Sequence, residues 1–221
     1  MWTTAPYKQS QLGAAHALIR QLRLGTLVTE HPMDASPLPF LLDERRGPAG
    51  SLVVHLARAN RQCARLAQGG QVLVAFTGPH THVPARWYAT SPRVSTWYYA
   101  AVHVYGQARL VTAPASVRNI LERSAAAFDP EGRGWTPDTD YVERLLPAIV
   151  GVEIEITRIE SQQRYGQDGP LADQQAVHQQ LSAGDLNQQQ VSQWMARAPG
   201  SGLRDTALDP PAAFAEPHAD D

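Results

Sequence analysis

The sequence predicts a mainly β protein with peripheral helices, folded as an antiparallel barrel in one domain with a tail. Three observations predict it. Short β-like runs are separated by glycine and proline breakers at Pro32, Gly47, Pro48, Gly69, Gly70, Gly78 and Pro79. Residues Ile149 to Arg158 alternate Val150, Val152, Ile154 and Ile156 with Gly151, Glu153 and Glu155, as a strand with one apolar and one acidic face requires. The 221 residues are 43% hydrophobic and 18% charged, enough for one sizeable core.

Taken in order, Ser10 to Leu24 places Leu12, Ala15, His16, Ile19, Leu22 and Arg23 at helical spacing, with Ser10 as a cap and Gly25 as the stop. β-like runs follow at Thr26 to Thr29, Leu38 to Leu42, Ser51 to His55, Val72 to Phe76 and Trp97 to Val111. Ala57 to Gln68 reads as a short helix crossing between the third and fourth of these. Ser116 to Phe128 and Asp138 to Leu146 read as helices before the alternating strand at Ile149. From Leu171 the chain turns Gln-rich, with a helix near Leu186 to Ala196, and from Pro199 it is rich in Pro, Ala and Asp. The expected division is a barrel over 1–181 and, over 182–221, a Gln-rich helix with a disordered tail of about twenty residues.

Composition removes several functions. No stretch approaches the roughly 18 apolar residues of a membrane helix, and the first eleven residues lack the pattern of a secretory signal, so the cytoplasm is expected. One cysteine, Cys63, cannot build a disulfide framework or a multi-Cys zinc site. Lys8 is the only lysine, and the formal net charge of −2 offers no broad basic face for DNA. The Gln-rich segment near Leu186 is too poor in basic residues for a recognition helix.

No Gly-rich phosphate loop of the dinucleotide or P-loop type occurs. His55-Leu56-Ala57-Arg58-Ala59-Asn60 combines a guanidinium, an amide and backbone donors where a strand ends and a helix begins, which suits an anion. The alternative is that Arg58 or Asn60 caps the turn while His55 packs on the barrel wall. His80 and His82 lie on one side of an extended segment, and with His103 and His55 able to approach them in a barrel they raise a metal reading, or with His103 a haem reading. A stable metal site usually also needs a carboxylate, thiolate or third aligned histidine, so no metal is assigned. Trp87-Tyr88 and Ser95-Thr96-Trp97-Tyr98-Tyr99 form the densest aromatic cluster, suited to a planar ligand, a core or a dimer interface. No acid, base or nucleophile constellation stands out, and an enzyme activity is left undecided.

The segment from His55 to Asn60, Gly78-Pro79-His80 leading to Trp87-Tyr88, and Thr96-Trp97 leading to Val102-His103-Val104-Tyr105-Gly106 resemble, in order and spacing, the PaiB family of FMN-binding negative transcriptional regulators. Ala5-Pro6-Tyr7, Leu38 to Asp43 and Ile149 to Ile154 agree, so the resemblance runs from Pro6 to about Leu181. It implies a split β-barrel related to flavin reductases and pyridoxamine phosphate oxidases, a homodimer with FMN at the subunit interface. On that resemblance Arg58 and Asn60, with His55 nearby, hold the phosphate and ribityl chain. Thr96 and Trp97 border the isoalloxazine ring, and Tyr98, Arg164 and Gln167 complete the set of cofactor-binding residues.

Several positions depart from the family pattern. Cys63 stands for a Trp, His82 to Tyr88 for Tyr-x-Ser-Pro-Ser-Trp-Tyr, Tyr98 for an Asn, and Arg164-Tyr165-Gly166-Gln167-Asp168 for Lys-Leu-Ser-Gln-Asn. The aspartate would repel a phosphate or an anionic flavin. Two outcomes follow for the cofactor: FMN bound, or the fold kept with flavin affinity weakened or lost. The expected function is a PaiB-type regulator, with a flavin-dependent oxidoreductase, a haem- or metal-handling barrel, or a cofactor-free interaction module as alternatives.

Overall fold

A computed structural model describes residues 1–9, 11–129 and 139–203. In chain order the strands are β1 (Lys8–Gln9), β2 (Leu24–Thr29), β3 (Asp34–Pro39), β4 (Leu41–Asp43), β5 (Ser51–Ala57), β6 (Gly70–Thr77), β7 (Thr81–Val83), β8 (Thr96–Val111) and β9 (Ile149–Arg164). The helices are α1 (Leu12–Leu22), α2 (Gln62–Leu66), α3 (Pro114–Phe128), α4 (Thr139–Leu145), α5 (Leu171–Ser182) and α6 (Leu186–Arg197). The chain divides into two compact units, one of Met1–Gly78 with Ala100–Gln163, the other of Pro79–Tyr99 with the described residues from Arg164 on.

The first unit is the barrel. Its strands follow the order β3-β2-β6-β8-β9-β5-β4, with β1 adding to β9. β3, at one end of that order, comes into contact with β5 near the other, which curls the sheet on itself. The interior is filled by alternate residues of facing strands: Leu27, Val74, Phe76, Val102, Val104, Leu52, Val54, Val152 and Ile154 are all essentially inaccessible. On the other face of β5, Val53 joins Leu41, Val111 and Ile120 in a smaller cluster covered by α3. That second cover explains why β5 is buried almost throughout rather than on one face only.

The alternating strand at Ile149 forms as expected, pairing β5 from Leu52↔Ile154 to Leu56↔Val150. It also runs six residues further, to Arg164, through the buried polar run Ser161, Gln162 and Gln163. β1 pairs with this extension at Lys8↔Gln162 and leaves the Lys8 side chain exposed.

Three local expectations are corrected. α1 does not stop at Gly25: Arg23 turns the chain at φ 54°, its N–H donating to Ile19 O at 2.9 Å. Gly25 lies inside β2, where a β-carbon would sit 2.7 Å from the Phe76 ring and 2.8 Å from Val74. The run Leu38 to Leu42 is broken into β3 and β4 by buried Phe40, whose N–H donates to Arg23 O. β3 tolerates Pro37 and Pro39 because it is an edge strand. The crossover helix is shorter than Ala57 to Gln68, because β5 continues to Ala57 and a turn precedes Gln62. The Ser10 cap, Asp138 at the start of the expected helix, and residues 204–221 of the expected tail lie outside the described residues.

In the second unit β7 pairs antiparallel with Thr96 to Tyr98 of β8, and α5 packs on α6. Fully buried Tyr165 stands edge-on to both Tyr98 and Trp194, at centroid distances of 6.3 and 6.4 Å, and donates its hydroxyl to Pro79 O at 3.0 Å. α6 opens with a capping box: Asp185 accepts from the Gln188 amide at 2.8 Å, and the Gln188 side chain accepts from the Asp185 amide.

Candidate functional site

The barrel holds three of the expected residues. Arg58 follows the last residue of β5 and is clamped to the start of β9: its N–H donates to Ala148 O (2.8 Å), Nε to Pro147 O (2.8 Å) and Nη2 to Ile149 O (3.2 Å). Two carbonyls therefore fix the plane of an exposed guanidinium and use two of its five N–H groups, leaving donors for an anion. Asn60 shapes the turn. Its Oδ1 accepts from the Gln62 N–H at 2.9 Å and its Nδ2 donates to Ser36 Oγ at 3.0 Å. His55 pairs in register with Gly151, and its Nδ1 is buried with no hydrogen-bond partner among the described residues. Burial lowers the His55 pKa, which keeps the imidazole neutral.

Cys63, in the next helix, has its thiol pKa raised by burial, an effect the positive charge of Arg58 opposes. Asn60 caps its own turn, whereas Arg58 is oriented with donors in reserve and His55 carries an unmet nitrogen.

The second unit holds the other five. Thr96 opens β8. Trp97 follows and is 48% exposed. His80 stacks on its indole at 5.9 Å with a 30° interplanar angle, and His82, its ladder partner, lies at 6.0 Å and 46°. Tyr98 points the opposite way and is buried against Tyr165. Arg164 ends β9 and is partly exposed; Gln167 lies in the following turn, where its Oε1 accepts from the Tyr165 N–H at 2.9 Å. His103 belongs to the barrel, paired with Ala75, and its pKa is lowered chiefly by burial and also by the N-terminal ammonium, against Glu160. Among the described residues no group of three or more His, Cys, Asp or Glu side chains is placed to hold a metal ion.

Two features escaped sequence reasoning. Buried Asp173 accepts from the Thr90 N–H (2.8 Å) and hydroxyl (2.9 Å) and pairs with Arg93, which itself lies over the Tyr88 ring. Gln62, 1% exposed, donates its amide to Leu27 O, Thr29 Oγ1 and Asp34 O, tying α2 to β2 and β3. Neither has a signature in sequence, because both depend on partners about thirty to eighty residues away.

The oriented Arg58 guanidinium with spare N–H groups offers the charge-assisted donors a phosphate group requires, and His55 nearby keeps a buried nitrogen without a partner among the described residues. A sequence profile of the family described as "Putative FMN-binding domain" matches residues 1–158. The chain belongs to this family. Curated relatives of this FMN-binding-domain protein include a protein of Emericella nidulans (strain FGSC A4), AN0679, 28% identical over 80% of this chain and 88% of that protein. Protease synthase and sporulation protein PAI 2 of Bacillus subtilis (strain 168) is 29% identical over 58% of this chain and 62% of that protein. Among solved structures, the FAD and heme binding protein from Mycobacterium smegmatis superposes with a TM-score of 0.55 at 20% identity, covering 72% of this chain and 74% of that one. The flavocytochrome Anf3 from Azotobacter vinelandii gives 0.54 at 14% identity over 71% and 69%. The fold is that of the flavin-binding split barrels, and no helix among the described residues is long and apolar enough to cross a membrane.

Proposed function

We propose that this protein binds FMN at the interface of a homodimer and acts as a flavin-dependent regulator of the PaiB type. The observation that carries the reading is the clamped guanidinium of Arg58 within a chain of the FMN-binding-domain family. Arg58 and Asn60, with His55 beside them, engage the phosphate and ribityl chain. Thr96 and Trp97 border the ring, Tyr98 shapes that side from its buried position, and Arg164 and Gln167 complete the donor set. When bound, FMN supplies one- and two-electron redox chemistry, while the protein supplies binding, orientation and electrostatics. Any effect on transcription runs through a partner or through the flavin's state, because a net charge of −2 gives little attraction for a phosphate backbone.

The test is an absorption spectrum of purified protein before and after FMN addition, with excess ligand removed by gel filtration. A retained visible flavin band supports the proposal, and a colourless protein after mixing overturns it. Arg58→Ala is expected to weaken FMN binding by about tenfold to a hundredfold, the equivalent of losing a charge-assisted hydrogen bond of ~1.5–3 kcal/mol. Unchanged affinity would remove Arg58 from the site.

A second reading is favoured by Trp97 with His80 and His82 on its indole: a barrel that handles haem. It draws support from the structural neighbours described as a FAD and heme binding protein and a flavocytochrome. A Soret shift on haem addition that disappears in a His80→Ala/His82→Ala protein would favour it over flavin alone. Oxidation of a reduced nicotinamide by the FMN-loaded protein would instead point to an oxidoreductase.

A further inference from the structure

The turn after β9 carries Arg164 and Gln167, and its shape depends on a residue of β8. Gly166 adopts φ +75°, and the Gly169 N–H closes the turn on Gly166 O at 3.0 Å. A β-carbon on Gly166 would collide with the Tyr98 hydroxyl and lie 2.7 Å from the ring carbon that bears it. The phenol cannot swing aside cheaply. Tyr98 is 2% exposed, held in the ladder opposite Thr81, and edge-on to Tyr165, which is itself wedged against Trp194. Glycine is therefore needed at 166 twice over, for a left-handed backbone and for the volume Tyr98 already fills.

We propose that Tyr98 is a positioning residue. Its phenol occupies the place of a side chain at 166, fixes the turn over residues 165–169, and thereby sets the direction in which Arg164 and Gln167 are presented to the ligand. The functional half of this inference rests on the FMN reading above; the coupling of Tyr98 to Gly166 does not.

The experiment compares the parent protein with Tyr98→Leu, Gly166→Ala and the double variant, with Tyr98→Phe as a milder change that keeps the ring packing. Three quantities are read: the thermal midpoint, hydrogen exchange at the Gly169 amide, and FMN affinity by fluorescence. Gly166→Ala is expected to lower the midpoint more in the parent than in the Tyr98→Leu background, the residue of the effect being the φ penalty that remains. Tyr98→Leu and, to a smaller degree, Tyr98→Phe are expected to speed exchange at Gly169. Tyr98→Leu is further expected to weaken FMN binding about tenfold, ~1.4 kcal/mol, beyond what its midpoint shift explains. Additive midpoint shifts with a turn that stays protected would overturn the coupling, and full FMN affinity in Tyr98→Leu would overturn the positioning role. If the parent binds no FMN the flavin reading falls, while the midpoints and the exchange rates still decide the Tyr98 and Gly166 pair.

Discussion

Asp173 shows what one buried carboxylate does in the second unit. Burial raises its pKa, but the Thr90 amide, the Thr90 hydroxyl and Arg93 outweigh that and hold it below the usual carboxylate value. A depressed carboxyl contributes stability that is present above its unfolded pKa of about 3.9 and lost as pH falls through the folded value. Asp173→Asn is therefore expected to lower the thermal midpoint at pH 7, by roughly 5 °C if ~2 kcal/mol is lost, and to flatten the midpoint's dependence on pH below about 4. An acid limb as steep as the parent's would show that other groups govern it. The histidines run the other way: burial lowers the pKa of both His55 and His103, so the unfolded chain binds protons first and stability falls as pH drops from about 6.5 toward the folded values. Nuclear magnetic resonance titration of the two rings, with midpoints below the ordinary imidazole value of about 6.5, checks this. The sequence could nominate Arg58 because a guanidinium beside a strand end is visible in a local window. It could not nominate Asp173, which needs Thr90 and Arg93 from another segment.

The helix α3 covers β5 through a small set of aliphatic contacts, which makes it the clearest test at this scale. Ile120 is 4% exposed beside Val53 and Val111, so Ile120→Ala is expected to cost about 2–5 kcal/mol in urea unfolding. Leu145→Ala, at a leucine 41% exposed in α4, is expected to stay within about 0.5 kcal/mol. Equal losses would mean that α3 does not cover the barrel as described. The strands were legible where their faces differ in polarity, as in the first ten residues of β9. The extension through Ser161 to Gln163 was not, because buried polar residues look in sequence like solvated ones. The end of α1 was misjudged for a related reason. Glycine at 25 serves the approach of Phe76 and Val74 in the barrel, while Arg23 takes the positive φ that a glycine usually supplies.

For the whole molecule, the proposed interface predicts a sedimentation mass of two chains of 24.2 kDa each, with or without flavin. A monomer at micromolar concentration would remove the shared site. Association with DNA is expected to be absent at moderate salt, and a steep salt dependence in a filter-binding assay would contradict the charge argument. The mainly β barrel was readable from breaker spacing and from one alternating strand, whereas the grouping of Pro79–Tyr99 with α5 and α6 leaves no mark in composition. Lys8, exposed on β1, carries the only ε-amine in the chain, and the remaining eighteen basic side chains are guanidinium groups. Reagents that seek amines thus meet one side-chain address, on an edge strand, and acylating it removes a single positive charge. A bis-succinimidyl cross-linker would join two subunits through side chains only where two copies of that strand approach one another, while the side-chain label of an amine-directed dye would report β1 alone.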